Sequence, residues 1–68
     1  MADYISLNSM ENILREAGAE RVSLKAKQAL SDYVEDHALE IAKKSLKLTK
    51  HAERQTVKKE DIDAAITL

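Results

Sequence analysis

The 68-residue sequence contains no cysteine, proline, tryptophan or phenylalanine, and it has a single glycine. The lack of cysteine excludes disulfide bonds, and two histidines alone do not form the Cys/His cluster of a structural metal site. The lack of proline and the near absence of glycine favour helices joined by short connections over a β-sheet or a disordered chain. The sequence therefore predicts an all-α domain without a metal ion or cofactor.

The small size of the chain predicts self-association. A single chain of this length buries too little apolar surface to be comfortably stable by itself. Because disulfides and metals are excluded, oligomerisation is the remaining source of burial. The sequence has no run of about 18 apolar residues, and it lacks the basic start and apolar stretch of a secretory signal. We therefore expect a soluble, cytoplasmic protein with no membrane partner.

The charges are unevenly distributed along the chain. The formal net charge is -1, which by itself argues against a polyanionic partner. Residues 41–60, however, carry seven basic and two acidic side chains, whereas residues 1–20 carry one basic and four acidic side chains. Because the local field at a contact surface matters more than the total, a DNA-binding surface remains possible.

Three helices are predicted from capping residues and apolar spacing. Asn8 is an N-cap type of residue that precedes a short amphipathic segment, and Gly18 supplies a left-handed C-terminal stop. Ser23 can cap a second helix from Leu24 to about His51, since nothing in between breaks a helix. At roughly 1.5 Å per residue this helix is on the order of 40 Å long, more than a domain of this size needs. Its unusually wide apolar band therefore predicts that a partner chain covers part of it.

A second short loop over 53–58 precedes a last helix whose first turn holds Glu60 and Asp61. The predicted order is short helix, loop, long central helix, loop, short helix. No linker, low-complexity tract or obvious tandem repeat interrupts it. We therefore expect one domain over 1–68, with 1–7 as a loose N-terminal arm.

Four segments resemble the successive signatures of archaeal histones. They are AGAERVS at 17–23, EIAKK at 40–44, KHA at 50–52 and RQTVKKEDI at 54–62. The resemblance extends from about residue 7 to residue 65. Four segments in the same order and spacing are far more specific than any one of them. The chain is thus identified as a member of the histone-fold family.

This resemblance implies an intertwined head-to-tail dimer in which two long helices cross and the first loop of each chain lies beside the second loop of its partner. Archaeal histones hold the phosphates of double-stranded DNA with these paired loops, and an arginine of the first loop enters the minor groove. Matched residue by residue, that arginine is Arg21. The full set of implied DNA-binding residues is Arg15, Arg21, Arg54, Gln55, Thr56 and Lys58. Such binding depends weakly on sequence and favours easily bent DNA.

The resemblance also assigns residues to structure and assembly. Arg54 and Asp61 match a pair that forms a salt bridge bracing the second loop. Leu48, His51 and Asp61 match positions where two dimers meet in a four-helix bundle. Partners implied in this way are DNA, a second copy of the chain, further copies in a tetramer or longer stack, and another histone-fold chain. The protein is then associated with the chromosome, in the nucleoid, and compacts DNA.

Four positions depart from the family pattern. Asn12 and Gln55 stand where basic residues are usual, and Glu53 replaces a small residue. Each of these changes removes positive charge or adds negative charge near the implied DNA path, so we expect weaker DNA affinity. Ala64 stands where a larger apolar residue supports the dimer–dimer bundle, which makes tetramers marginal.

Other functional classes fit the sequence less well. There is no nucleophile beside a base and no glycine-rich phosphate cradle, so we expect no enzyme activity. The uninterrupted central helix argues against a helix-turn-helix sequence reader, whose recognition helix is short. The main alternative is a histone-fold dimerisation scaffold with weak or no DNA binding, which the departures from the family pattern favour.

Overall fold

The structure, a computed structural model, describes residues 4–68 and contains three helices there. They are α1 (Leu7–Glu16), α2 (Leu24–His51) and α3 (Lys59–Thr67). No strand occurs within 4–68. The predicted all-α class and the short, long, short order of the helices are confirmed. None of the three helices is long and apolar enough to cross a membrane.

Helix α1 begins one residue after Ser6, which is its N-cap. The Ser6 backbone is extended, and its Oγ accepts a hydrogen bond from the Ser9 N–H at 3.1 Å. The predicted N-cap, Asn8, was wrong, because Asn8 lies inside the first turn. Both residues are good cap types, and the earlier start adds Leu7, which is half-buried, to the helix.

The backbone just before α1 is attached to α2. The N–H groups of Tyr4 and Ile5 donate to one carboxylate oxygen of Glu35, at 2.6 and 2.7 Å. Ser31 Oγ donates to the Ile5 carbonyl at 3.4 Å. The sequence predicted a loose arm over 1–7. Residues 1–3 lie outside the described part of the chain, and the segment that follows them makes these hydrogen bonds to α2.

The first loop begins with a Schellman motif at the end of α1. The Gly18 N–H donates to the Arg15 carbonyl at 2.9 Å, and the Ala19 N–H donates to the Leu14 carbonyl at 3.0 Å. Gly18 has φ +114°, outside the range that other residues adopt readily. The predicted left-handed stop is thus confirmed. Ser23 then accepts from the Ala26 N–H at 3.1 Å, which confirms its predicted role as the cap of α2.

The second loop begins in the same way, although its sequence gives no sign of it. The Glu53 N–H donates to the Lys50 carbonyl at 2.9 Å, and the Arg54 N–H donates to the Thr49 carbonyl at 3.0 Å. Glu53 has φ +58°, so a glutamate occupies the left-handed position that Gly18 occupies in the first loop. In each loop the next helix is capped five residues later, at Ser23 and at Lys58.

The chain forms two compact units, one ending at Asp36 and the other beginning at His37, and α2 runs through both. In the described part of the chain, only two hydrophobic residues are buried, Met10 in the first unit and Ala65 in the second. Five buried residues are polar or charged: Ser31, Glu35, Ser45, Thr49 and Asp61. Nine large apolar side chains are exposed: Tyr4, Ile13, Leu24, Tyr33, Leu39, Leu46, Val57, Ile66 and Leu68. A single chain therefore covers little of its apolar surface.

The two left-handed positions predict opposite effects of substitution. Glu53→Gly should stabilise the protein by about 1 kcal/mol, because a left-handed backbone costs an L-residue about that much and costs glycine nothing. Gly18→Ala should destabilise it by at least about 1 kcal/mol, since φ +114° is strained for any side chain even though no atom lies within 4 Å of an added Cβ. Urea unfolding at a fixed protein concentration measures both changes, and equal stabilities of Glu53→Gly and the parent would contradict the first.

Candidate nucleic-acid interface

The second loop is held by one arginine and one aspartate. The Arg54 guanidinium donates to both carboxylate oxygens of Asp61, with Nη2 2.7 Å from Oδ1 and Nη1 2.9 Å from Oδ2. The same Nη1 donates to the carbonyl oxygen of Thr56 at 2.9 Å. Arg54 thus joins the first turn of α3 to the backbone of the loop. This two-bond geometry gives directional as well as electrostatic attraction.

Asp61 is the centre of this arrangement. Besides Arg54, its Oδ2 accepts from the Thr49 hydroxyl of α2 at 2.8 Å and from the Lys58 N–H at 2.9 Å. Asp61 is only 5% exposed. The hydrogen bonds from Arg54, then from the Lys58 N–H and the Thr49 hydroxyl, hold the pKa of Asp61 far below its usual range. The ion pair in turn raises the pKa of Arg54. We name the group of Thr49, Arg54, Lys58 and Asp61 the loop-2 frame.

The polar residues implied in DNA binding lie on the outside of this loop. Gln55, Thr56 and Lys58 are all exposed. The loop-2 frame fixes the backbone on either side of them, through the Thr56 carbonyl and the Lys58 N–H. Lys59 pairs with Asp63 at 2.7 Å on the exposed side of α3. The loop therefore presents an amide, a hydroxyl and an ammonium group on a fixed backbone.

The first loop carries Arg21 as an exposed side chain. An open hollow lies beside Arg21, and its walls are mainly apolar. It is lined by Leu14, Ala19, Arg21, Val22, Ser23 and Ala26. The sequence did not predict this hollow, because its lining comes from the end of α1, the loop and the start of α2.

Arg15, which the resemblance places among the DNA-binding residues, makes contacts inside the chain. Its guanidinium bonds Glu11 through Nε at 3.0 Å and Nη2 at 2.9 Å, and its Nη1 donates to the Glu20 carbonyl at 3.0 Å. The other oxygen of Glu11 binds Lys27 Nζ of α2 at 3.0 Å. These hydrogen bonds and charges, with Lys27 first and Arg15 second, lower the pKa of Glu11. The spacing of Glu11 and Arg15 could have indicated their pairing, but nothing in the sequence indicated Lys27.

The residues implied in dimer–dimer contact all lie in the second unit. Leu48 is half-buried on α2, His51 is the exposed last residue of α2, and Asp61 is buried in the loop-2 frame. Their assembly role stays a prediction. Asn12 on α1 and Ala64 on α3, two of the departures from the family pattern, are exposed. Within residues 4–68 no group of three or more His, Asp or Glu side chains could hold a metal ion.

The low pKa of Asp61 predicts acid sensitivity. Its pKa in the folded protein lies below the unfolded value of about 3.8, so the ionised carboxylate stabilises the fold above that pH. The stability should therefore fall as the pH drops below about 4. Asp61→Asn should be less stable at neutral pH and should lose less stability between pH 5 and 3.

Urea unfolding across that pH range measures this difference. Asp63→Asn is the matched control, because Asp63 makes an exposed ion pair with Lys59. That variant should keep the pH dependence of the parent. Parallel pH profiles of Asp61→Asn and the parent would contradict the central role of Asp61.

Comparison with known proteins agrees with the fold. Residues 5–66 match the family model described as "Histone-like transcription factor (CBF/NF-Y) and archaeal histone". The chain is 46% identical over 57 residues to the A subunit of archaeal histone HAN1 of Thermococcus zilligii, covering 84% of this chain and 85% of that protein. It is 54% identical over 54 residues to probable archaeal histone 3 of Methanocaldococcus jannaschii, covering 79% and 81%. The chain therefore belongs to the histone-like transcription factor (CBF/NF-Y) and archaeal histone family, a histone-fold family of DNA-binding proteins.

Proposed function

We propose that this chain is an archaeal-type histone that binds and compacts double-stranded DNA with little sequence specificity, through the paired loops of a head-to-tail homodimer. The observation that carries the proposal is the second loop, where the loop-2 frame holds a backbone that presents Thr56 and Lys58 outward. No catalytic step or cofactor is part of this function. The protein would be associated with the chromosome in the cytoplasm.

The dimer is supported by the exposed apolar side chains. Leu39 and Leu46 on α2 are 54% and 43% exposed, and Ile66 on α3 is 61% exposed. Leaving such side chains in water forgoes roughly 1.5–3 kcal/mol each relative to full burial. A second copy of the chain is the occupant that the family relation favours. Tetramers or longer stacks would add contacts at Leu48, His51 and Asp61.

The chemistry of the loops suits the DNA backbone. A threonine hydroxyl, backbone N–H groups and the ammonium group of Lys58 bind phosphate oxygens without reading the bases. Arg21 is long, exposed and located in a short loop, which suits entry into the minor groove. Binding of this kind depends on the shape and flexibility of the DNA.

The local charge limits the expected affinity. Residues 53–61 include three basic side chains, Arg54, Lys58 and Lys59, and three acidic side chains, Glu53, Glu60 and Asp61. Arg54 and Lys59 are moreover paired with aspartates inside the chain. Lys58 is therefore the cation of the second loop best placed to bind phosphate. We expect a small dependence on salt, since each phosphate contact contributes about 0.9 to the slope.

The alternative function is a histone-fold scaffold that dimerises and binds DNA weakly or not at all. Asn12, Gln55 and Glu53 favour it, because they lower the positive charge near the implied DNA path. The name of the Thermococcus zilligii relative describes one of several subunits, so pairing with a different histone-fold chain is the form that this alternative takes.

A gel-shift titration on a short DNA duplex at two salt concentrations separates the two functions. The histone should bind in low salt and lose affinity in higher salt. No binding in low salt would favour the scaffold. Sedimentation of complexes on long DNA then measures compaction.

Arg21→Ala tests the first loop in the same titration. We expect affinity to fall about fivefold and the salt slope to fall by about 0.9 for each phosphate interaction that the substitution removes, with unchanged helicity. Lys44→Ala removes the same charge from an exposed position on α2 and should have a smaller effect. Equal effects of the two substitutions would show that Arg21 contributes only general charge.

Thermal unfolding at several concentrations tests the dimer. If folding requires a second copy, Tm should rise by a few degrees for each tenfold increase in protein concentration. Sedimentation equilibrium of the same samples should give twice the chain mass. A folded monomer with a Tm independent of concentration would contradict the homodimer.

A further inference from the structure

Arg15 connects α1 to the peptide bond on which Arg21 is carried. Its Nη1 donates to the carbonyl oxygen of Glu20, 3.0 Å away, and that carbonyl belongs to the peptide linking Glu20 to Arg21. The opposite edge of the same guanidinium bonds Glu11. A planar fork that is bonded on both edges has little freedom to rotate. Arg15 therefore fixes the position of the backbone just before Arg21.

Glu11 extends this connection to the other end of the first loop. One of its carboxylate oxygens binds Arg15 and the other binds Lys27 Nζ at 3.0 Å. Lys27 lies at the start of α2, so the ions span both helices that flank the loop. The side chains of Glu11 and Lys27 are only 26% and 20% exposed, which makes this a more protected group than an ordinary surface ion pair. We name Glu11, Arg15 and Lys27 the loop-1 triad.

The loop-1 triad repeats the chemistry of the loop-2 frame with different residues. In the second loop, Arg54 bonds a carboxylate with two nitrogens and a loop carbonyl with one. In the first loop, Arg15 does the same with Glu11 and Glu20. Both loops follow a left-handed residue, Gly18 or Glu53, and have the same length. Each loop is thus held by an arginine that joins a carboxylate to a loop carbonyl.

We propose that the loop-1 triad positions Arg21 for DNA, and that Arg15 is a positioning residue and not itself a phosphate contact. This inference rests on the proposed DNA-binding function. It adds Glu11 and Lys27, which neither the sequence nor the family resemblance assigns to the site. Loss of the triad should leave Arg21 in place chemically but free to sample other orientations, which lowers affinity through the entropy of ordering it.

The charge of Glu11 makes the test decisive in sign. If Glu11 were an ordinary surface carboxylate, Glu11→Gln would remove negative charge near DNA and tighten binding. If it belongs to the triad, the same change releases Arg15 and should weaken binding about fivefold, the net equivalent of one hydrogen bond. Glu20→Gln is the matched control, because the triad uses only the backbone carbonyl of Glu20. That variant should bind as tightly as the parent or more tightly.

Arg15→Lys separates positioning from direct contact. Lysine keeps the positive charge, so a direct phosphate contact would survive with most of its affinity. A single ammonium group cannot reproduce bonds to Glu11 and to the Glu20 carbonyl together, so the triad predicts that Arg15→Lys loses as much affinity as Arg15→Gln. Near-parental binding of Arg15→Lys combined with tighter binding of Glu11→Gln would overturn the proposal.

Amide hydrogen exchange without DNA gives a second measurement. In the Glu11→Gln protein the amides of residues 19–22 should exchange faster than in the parent, while those of residues 54–58 should not change. Unchanged exchange at 19–22 would overturn the triad as a brace, whatever the DNA results. If instead the parent protein fails to bind DNA in low salt, the proposed function fails, and the exchange rates still decide whether the triad orders the loop.

Discussion

The buried carboxylate of Asp61 is the constraint on which the second unit depends. An ionised group that is nearly removed from water is stable only if hydrogen bonds replace its hydration. Here one arginine, one hydroxyl and one backbone N–H supply them, and each comes from a different segment: the loop, the end of α2 and the cap of α3. Satisfying one charge therefore fixes where α2 ends, how the loop runs and where α3 begins.

Polar anchors lie inside this chain while much of its apolar surface lies outside. Glu35, Thr49 and Asp61 are buried and bonded, whereas Leu39 and Leu46 remain exposed. Hydrogen-bonded anchors are directional and specify which segments meet, but they add little net stability. The apolar surface supplies stability only when something covers it. Such a chain couples its folding to assembly, which agrees with the proposed homodimer.

The sequence was sufficient for whatever depends on local preferences. The bounds of α2 follow from the Ser23 cap and the lack of any breaker, and the end of α1 follows from Gly18. The start of α1 was missed because two cap residues compete within three positions. The left-handed Glu53 has no local signal, since glutamate does not prefer that conformation. The Arg54–Asp61 pairing came from the family resemblance, and the Glu11–Lys27 contact joins residues 16 apart that no spacing rule connects.

Several charges near the candidate interface serve geometry and not attraction. Arg15 and Arg54 are the cations adjacent to the two loops, and both are bonded to carboxylates inside the chain. What they provide is a fixed backbone, so that groups such as Arg21 and Thr56 need little ordering when a ligand binds. A long polyanion with the same backbone everywhere is suited to such a surface, because repeated weak contacts add along its length. A net charge of -1 is then compatible with DNA binding, since affinity arises from preorganised loops in repeated copies and not from the overall field.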